Sequence, residues 1–147
     1  MEICINQIRK LPIDIAVLLN LSQQEGFKFI KKLVDDFNSD QIKFNLNGEA
    51  LFEVRDITNT LIGIGGITVD SHSSKNNTGR IRRFYIHPTY RRLAVGSLLL
   101  KHIEQHAKDF FDQLSLYTDT EKASIFYEKN GFFKDMREKQ THYKILK

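Results

Sequence analysis

The sequence predicts an α+β fold in which one mixed sheet of about seven strands is flanked by about four helices. Three observations support this expectation. Segments with strand and helix periodicity follow one another in the order β-α-α-β-β-β-α-β-α-β-β. Short polar turns separate neighbouring strands in the middle and at the end of the chain, as in antiparallel hairpins. One helix in the second half joins two strands, which predicts a parallel crossover within a largely antiparallel sheet.

The first half of the chain contains a strand, a helical region and a hairpin. Residues 2–8 predict a short first strand, and residues 12–36 show helical apolar spacing with a break at 22–26. Apolar runs at 50–55 and 61–69 flank a polar turn. They predict an antiparallel hairpin.

Three glycines, Gly63, Gly65 and Gly66, lie in the second arm of this hairpin. Closely spaced glycines can form a loop around a phosphate, but such a loop normally opens into a helix, and no helix start follows here. A bulged or twisted strand is therefore the preferred interpretation.

The second half alternates strands with helices and closes on a pair of strands. The predicted elements are a strand at 79–86, a helix at 95–111, a strand at 113–117, a short helix after it, and strands at 132–136 and 142–146. Thr118, with Glu121 three residues later, predicts a capping box at the start of the short helix. Asn130-Gly131 predicts its left-handed end.

Composition limits the class of protein. A chain of 147 residues has the size of one domain, so residues 1–147 are expected to form a single unit. The single cysteine, Cys4, excludes an internal disulfide framework. There is no apolar run near 18 residues and no basic, hydrophobic leader, which argues against a membrane span or a secretory signal. A reducing, cytoplasmic setting is therefore expected, and no metal site is predicted.

Positive charge is unevenly distributed. The 22 Lys and Arg against 18 Asp and Glu give a net charge of +4. Five arginines fall within one short segment: Arg80, Arg82, Arg83, Arg91 and Arg92. One interpretation is a nucleic-acid-binding module that uses segment 80–92, with Phe84, Tyr85 and Tyr90 as stacking aromatics. This alternative does not explain the helix start at Val95.

Residues 85–97 have the pattern of an anion site. Pro88 ends the preceding strand because it has no N–H for the sheet, and helical apolar spacing begins at Val95. The first amides of a helix have no internal partners and lie at the positive end of its dipole. Gly96 permits close backbone approach, and the two preceding arginines add cationic donors. The segment therefore predicts a diphosphate site, with a solvated strand-turn-helix connection as the alternative.

Residues 116–133 form a second block that reads as strand, short helix and strand. It contains a small residue, then the pair Phe126-Tyr127, then Gly131-Phe132. Together with Ile86-His87-Pro88 and Arg91-Arg92-Leu93-Ala94-Val95-Gly96, this block resembles the two signatures of the GNAT acyl-CoA N-acyltransferases. Two signatures in the right order carry much more weight than either one alone.

The resemblance implies the GNAT fold and an N-acetyltransferase that uses acetyl-CoA. It also implies that the strands at 79–86 and 113–117 diverge, so that the pantetheine arm can pair with the free strand edge. The backbone N–H of Phe84 would hold the thioester carbonyl, and Ile86 would pair with pantetheine. The residues expected to bind the cofactor are Phe84, Tyr85, Ile86, Arg91, Arg92, Leu93, Ala94, Val95, Gly96, Ser97, Thr120 and Phe126.

Ala94 departs from the family pattern, which usually has a glycine at this position. If the position requires a positive φ, alanine costs on the order of 1 kcal/mol or shifts the loop slightly. The departure bears on the affinity for the cofactor more than on its identity.

By the same resemblance, Tyr127 occupies the position of the family's general acid. A phenol with a pKa near 10 is protonated at neutral pH and can therefore donate a proton. The alternative is a core aromatic beside Phe126. No acidic residue lies on the strand at 79–86, where some family members carry a base. Glu53 and His142 are the remaining candidates, although a surface location is expected for both. Ordered water, or an amine that arrives neutral, would need no dedicated base.

The expected acceptor is a small-molecule or peptide amine. Arg80 and Arg82 are candidate acceptor residues that would favour a carboxylate or a phosphate, and His142 is a third. The alternative is that the arginines are solvated or ion-paired. A domain that binds coenzyme A without catalysis is another alternative to the enzyme. The oligomeric state is left open, with a homodimer among the expected partners.

Overall fold

The computed structural model describes residues 2–73 and 77–147. Within these residues the strands are β1 (Ile3–Ile8), β2 (Ala50–Asp56), β3 (Leu61–Val69), β4 (Thr78–Ile86), β5 (Gln113–Leu116), β6 (Phe133–Arg137) and β7 (Gln140–Ile145). The α-helices are α1 (Ile15–Gln24), α2 (Phe29–Asn38), α3 (Val95–Ala107) and α4 (Glu121–Lys129), and a short 3₁₀ helix spans Pro88–Tyr90. The strands form one sheet in the order β1-β2-β3-β4-β5-β7-β6.

The predicted element order and fold class are confirmed. Neighbouring strands are antiparallel except for β4 and β5, which are parallel and joined through α3. This is the single crossover that the sequence predicts. The sheet is therefore mixed, as expected.

Two helix boundaries differ from the prediction. Helix α3 ends at Ala107 rather than at 111, and residues 108–110 form a turn. The turn directs Phe111 into the core, where its side chain is 3% exposed. The break between α1 and α2 lies at residues 25–28, later than predicted, because the chain reverses at Gly26 with a φ of +84°.

The sheet separates two apolar layers. Helix α3 covers one face, and α1 and α2 cover the other. The first layer includes Ile62, Ile81, Leu99, Ile103 and Leu114. The second layer includes Leu18, Ile30, Leu33, Leu51 and Ile64. Because β4 crosses the middle of the sheet, its side chains reach both layers.

The glycines of β3 lie in a strand, as predicted. The pairing of β2 with β3 shifts in register between Val54, opposite Gly63, and Arg55, opposite Leu61, which confirms a bulge in β3. A Cβ at Gly66 would lie 2.5 Å from Cε1 of Phe44. Glycine is therefore required here for packing and not for binding a phosphate.

No helix in residues 2–73 or 77–147 is both long enough and apolar enough to cross a membrane.

Candidate active site

The central feature of the site is the separation of β4 from β5. The two strands pair only where Thr78–Arg80 lies beside Gln113–Ser115, although β4 continues to Ile86. Beyond Arg80, the edge of β4 that faces β5 has no strand partner among the described residues. The expected divergence of these strands is confirmed, and it leaves backbone groups of β4 open to an extended ligand.

A bulge in β4 decides which side chains surround this opening. Tyr85 pairs with Ile64 and Arg82 with Gly66, so two residues of β4 face one of β3. The extra residue is Arg83, which has a φ of 55°. An added residue inverts the alternation of side chains. Phe84 and Ile86 therefore pack on the α3 side.

The start of α3 presents unpaired amides. The N–H of Leu98 donates to the carbonyl of Ala94 at 3.0 Å, which is the first bond of the helix. No N–H of residues 92–97 has a hydrogen-bond partner within the described parts of the chain. Amides at a helix N-terminus attract anions. The predicted diphosphate segment thus has the donors that it needs.

Ala94 adopts the conformation for which the family uses glycine. Its φ is 65° and its ψ is 7°, in the left-handed region. Gly96 follows within the first turn of α3, where a Cβ would lie 3.2 Å from both Cε1 and Cζ of Phe126. The backbone of this turn therefore lies directly against the Phe126 ring, and a side chain at 96 would push the ring away.

Arg91 belongs to a cluster that also contains Glu25 and Tyr85, here called the Glu25 cluster. Its guanidinium donates to both carboxylate oxygens of Glu25, at 2.6 and 2.8 Å, and through Nε to the carbonyl of Ile86 at 3.1 Å. It also lies 5.2 Å from the centre of the Tyr85 ring. The hydroxyl of Tyr85 donates to Glu25 as well.

The Glu25 cluster connects the end of α1 to the strand and loop of the predicted cofactor site. Hydrogen bonds from Arg91 are the largest reason why the pKa of Glu25 is lowered, and burial raises the pKa of Tyr85. The side chain of Arg92, in contrast, is exposed, and no ion pair with it occurs in residues 2–73 or 77–147. Arg92 is therefore the freer cation of the two.

Tyr127 lies on α4, on the α3 side of the opening. Its ring contacts those of Phe84, Phe126 and Phe132, with centroids 6.0, 5.1 and 5.5 Å away. The residue is 7% exposed, and burial raises the pKa of its hydroxyl. That hydroxyl makes no hydrogen bond to any described residue. It is a protonated donor without a protein acceptor.

Helix α4 begins two residues later than the capping prediction. Thr120, not Thr118, is the N-cap, and its hydroxyl accepts the N–H of Ala123 at 3.2 Å. The N–H of Thr118 donates instead to the hydroxyl of Thr141 on β7, at 3.0 Å. This contact keeps the chain extended through Thr118, so the prediction of a capping box there was wrong. The predicted end is confirmed, since Gly131 has a φ of +92°.

His142 is buried, so the surface location expected for it was wrong. It is 1% exposed, and its ring centre lies 6.3 Å from that of Tyr127. One ring nitrogen is 3.0 Å from the hydroxyl of Ser124 and the other 2.8 Å from that of Thr141. Burial lowers the pKa of His142, which favours the neutral ring. The other candidate base, Glu53, is also largely buried and pairs with Arg55 at 3.0 Å.

The arginines before the opening lie on the α1 and α2 face of β4. Nε of Arg82 donates to the hydroxyl of Thr68 at 2.9 Å, and Arg80 donates to the carbonyl of Lys139. The bulge turns Arg83 to the same face, where it pairs with Asp36 at 3.2 Å. The three arginines therefore lie on the same face of the sheet.

The aromatics needed for nucleic-acid stacking are not available on this segment. Tyr85 is 2% exposed and belongs to the Glu25 cluster. Phe84 packs against Phe126 and Tyr127. Tyr90 donates its hydroxyl to Asp56 at 2.7 Å. These contacts remove the main support for a nucleic-acid-binding module.

Sequence reasoning missed Glu25, Thr68 and Ser124, which contact the predicted site residues. Glu25 directly follows α1, far from Arg91 in the sequence, and no local pattern relates the two. The only available signal was a carboxylate at the predicted helix break. Partnerships of this kind depend on the order of elements in the sheet.

Comparison with known proteins gives the same assignment for most of the chain. The model of the acetyltransferase (GNAT) family matches residues 17–132. A crystal structure of a protein from Exiguobacterium sp. 255-15, assigned as an acetyltransferase, is 32% identical, with a TM-score of 0.87. The match covers 99% of this chain and 94% of that chain. No curated protein gives a significant match.

More distant structures share the fold. The PaiA N-acetyltransferase from Thermoplasma acidophilum, solved with coenzyme A, has a TM-score of 0.69 at 19% identity, and 99% of each chain is covered. A chimera of the spermidine N-acetyltransferase SpeG from Vibrio cholerae and hSSAT has a TM-score of 0.71 at 15% identity. That match covers 99% of this chain and 96% of the chimera. At these identities the likeness concerns the fold alone.

Proposed function

The chain belongs to the GNAT acetyltransferase family, and we propose that it transfers an acetyl group from acetyl-CoA to a primary amine by direct attack within a ternary complex. The enzyme class follows from the family. The choice of acetyl-CoA, the amine acceptor and the residue roles below are the proposal. The coenzyme A complex of the Thermoplasma relative and the spermidine acetyltransferase chimera are consistent with this donor and with an amine acceptor.

The observation that carries the proposal is that the unpaired edge of β4 is followed in the chain by the unpaired amides at the start of α3. The free edge at Phe84 and the N–H of Ile86 would pair with the pantetheine arm, whereas the Ile86 carbonyl already accepts Nε of Arg91. Unpaired amides at 92–97 would then receive the pyrophosphate, with the exposed Arg92 as an added cation. Gly96 would keep the Phe126 ring against the first turn of α3.

The proposed reaction has one nucleophilic step and one expulsion step. The lone pair of a neutral amine attacks the thioester carbonyl carbon, and the N–H of Phe84 stabilises the oxyanion that forms. When the oxyanion collapses, the C–S bond breaks and the hydroxyl of Tyr127 donates its proton to the departing sulfur. The new amide nitrogen loses a proton to water, and Tyr127 is reprotonated from solvent. The products are the acetylated amine and free coenzyme A.

The environment of Tyr127 suits a general acid. Burial keeps its hydroxyl protonated at neutral pH, and no described residue competes for the proton as an acceptor. His142 is close, but both of its ring nitrogens face hydroxyl groups. In this proposal His142 holds α4 against β7, and the amine is deprotonated by water.

Two measurements test the proposal. Acetyl-CoA at 100 times its Kd should stabilise the protein by about 2.7 kcal/mol, which is readily seen as a rise in Tm. Release of free thiol should then accelerate when primary amines are added. A variant Arg92→Gln should bind acetyl-CoA several-fold more weakly, whereas Lys108→Gln, which removes an exposed cation at the other end of α3, should bind it normally.

The outcomes separate the alternatives. A Tm shift without thiol release for any amine would indicate a domain that binds coenzyme A without catalysis. Absence of both would contradict the proposed function altogether. An equal loss of affinity for acetyl-CoA in Arg92→Gln and Lys108→Gln would indicate only a general effect of net charge.

A further inference from the structure

Arg80 and Arg82 lack the carboxylate partners that other engaged arginines have. Arg55 pairs with Asp14 and Glu53, Arg83 with Asp36, Arg91 with Glu25 and Arg137 with Asp135. Arg80 and Arg82 are half-buried, yet across the described chain their only hydrogen bonds go to the Lys139 carbonyl and the Thr68 hydroxyl. Most N–H groups of both guanidinium ions therefore have no protein acceptor.

The carboxylate of Asp70 does not neutralise them. Its charge acts on both arginines, but Asp70 is 8% exposed and its oxygens accept bonds from the hydroxyl of Ser115 and the N–H of His72. Asp36 is likewise engaged by Arg83. The carboxylates nearby thus have other partners, and the positive charge of the arginine pair stays uncompensated.

Burial adds to the electrostatic cost of this arrangement. It is the largest cause that lowers the pKa of Arg82, and the neighbouring charges of Arg80 and Arg83 lower it further. A half-buried arginine without a carboxylate has lost part of its solvation, which a bound anion would replace. A carboxylate or phosphate placed here would remove the repulsion and accept the free N–H groups together.

The arginine pair lies at the start of the opening between β4 and β5, with Arg80 as the last paired residue of β4. Arg82 precedes Phe84 by about 7 Å of strand, on the face opposite to that of Phe84 and Tyr127. An acceptor bound on the α1 and α2 face could therefore place an anionic group on the arginines while its amine reaches into the opening. An anion and an amine separated by a few bonds match this spacing.

We infer that the acceptor of the transferase proposed above is a small primary amine that carries a carboxylate or phosphate group, which Arg80 and Arg82 bind. The inference rests on the proposed function for the identity of the reaction. The anion site itself follows from the contacts of the two arginines and can be tested without turnover.

The kinetic test uses pairs of amines that differ in the anion alone. Phosphoethanolamine against ethanolamine examines phosphate, and γ-aminobutyrate against its carboxamide examines carboxylate. At least one anionic member should have a kcat/KM about tenfold above that of its neutral analogue. Arg82→Gln should raise the KM for that anionic amine about tenfold. The KM for its neutral analogue and the KM for acetyl-CoA should stay unchanged. Arg80→Gln should act in the same direction.

The matched control is Arg9→Gln, which makes the same change in charge at an exposed position beside β1, at the far edge of the sheet. It should leave the preference intact. Preference for the neutral members, or for a polycation such as spermidine, would overturn the inference while upholding the acetyltransferase. An equal loss of the preference for the anionic amine in Arg9→Gln and Arg82→Gln would also overturn the inference.

A second measurement decides the matter if no amine in the panel is acetylated. Sodium phosphate and sodium acetate are titrated separately at constant ionic strength, and the Nε–H resonances of the arginines are followed by NMR. Saturable shifts at Arg80 and Arg82, absent at Arg9, would support the anion site even if the proposed function had failed. The anion site would be overturned if Arg80 and Arg82 showed no shifts, or if their shifts were like those of Arg9. The two titrations also distinguish phosphate from carboxylate.

Discussion

The Glu25 cluster and the region around the opening between β4 and β5 contain the same kinds of side chain in opposite states. In the cluster, the hydroxyl of Tyr85 and the guanidinium of Arg91 both bind Glu25. Around the opening, the hydroxyl of Tyr127 has no acceptor and the guanidinium of Arg82 has no carboxylate among the described residues. Fully paired groups hold the fold together, whereas partly buried groups that keep free donors are available to a ligand.

This difference affects the geometry of the site and the stability of the protein. Pairing in the cluster fixes the geometry of the 91–97 segment relative to α1. Arg82, which bonds Thr68 but no carboxylate, has lost part of its solvation without an ionic partner, and this lowers stability. Such unsatisfied groups in an otherwise well-paired protein are expected where substrates bind. Three substitutions test whether the distinction holds.

Tyr127→Phe should produce the largest effect. It removes the proton donor to the leaving sulfur, so kcat should fall at least tenfold while acetyl-CoA binding stays nearly unchanged. Steady-state thiol release and a Tm titration with acetyl-CoA measure the two quantities. Stability should change little, because the lost hydroxyl bonds no described residue.

Two other tyrosines provide the controls for this variant. Tyr85→Phe removes a paired hydroxyl, so its main effect should be a loss of about 1 kcal/mol in the free energy of unfolding. Tyr90→Phe removes the hydroxyl bound to Asp56 and should leave kcat unaltered. An unchanged kcat in Tyr127→Phe would exclude Tyr127 from the mechanism. The contrast between the Glu25 cluster and the opening would then not hold for the tyrosines.

Glu25→Gln should have an intermediate effect, on stability. It removes the carboxylate shared by Arg91 and Tyr85, and we expect a loss of about 1 kcal/mol, since Arg91 is 40% exposed and solvent screens the pair. Urea unfolding at pH 7 measures it. Glu2→Gln, at an exposed position, should have no effect.

The pH dependence of the same variant sharpens this test. The pKa of Glu25 is lowered by folding, so its contribution is present above the usual pKa near 4.5 and is lost as the pH falls through the folded value. Wild-type stability should therefore decline more steeply than that of Glu25→Gln as the solution is acidified below about pH 4.5. Parallel pH profiles would show that the Glu25 cluster adds nothing to folding.

Ala94→Gly should have the smallest effect, and a favourable one. Alanine with a φ of 65° is strained, and glycine relieves this strain but loses more backbone entropy on folding. The net gain should be at most about 1 kcal/mol in urea unfolding. Ala107→Gly, at the last residue of α3, should instead be destabilising because it lowers helix propensity and removes a buried methyl group. A loss of stability in Ala94→Gly would show that the loop does not need the left-handed conformation.

Local sequence patterns predicted the element order and the start of α3 at Val95 well. Pro88, the apolar spacing from Val95 and the stop at Asn130-Gly131 act over a few residues, and each has the predicted effect. The same patterns failed where a distant contact competes. Thr141 holds Thr118 out of the helix that it was expected to cap, and packing of Phe111 ends α3 early.

The sequence by itself determined that this chain forms a mixed sheet with one parallel crossover, because hydrophobic periodicity and turn residues act locally. It also determined the family, through two signatures whose residues lie close together in the chain. Only the tertiary structure decided that Arg91 is paired and Arg82 is not, that His142 is buried, and that the bulge at Arg83 inverts the faces of β4. These features depend on which elements become neighbours in the sheet, and residues far apart in sequence carry no periodic signal of their contact.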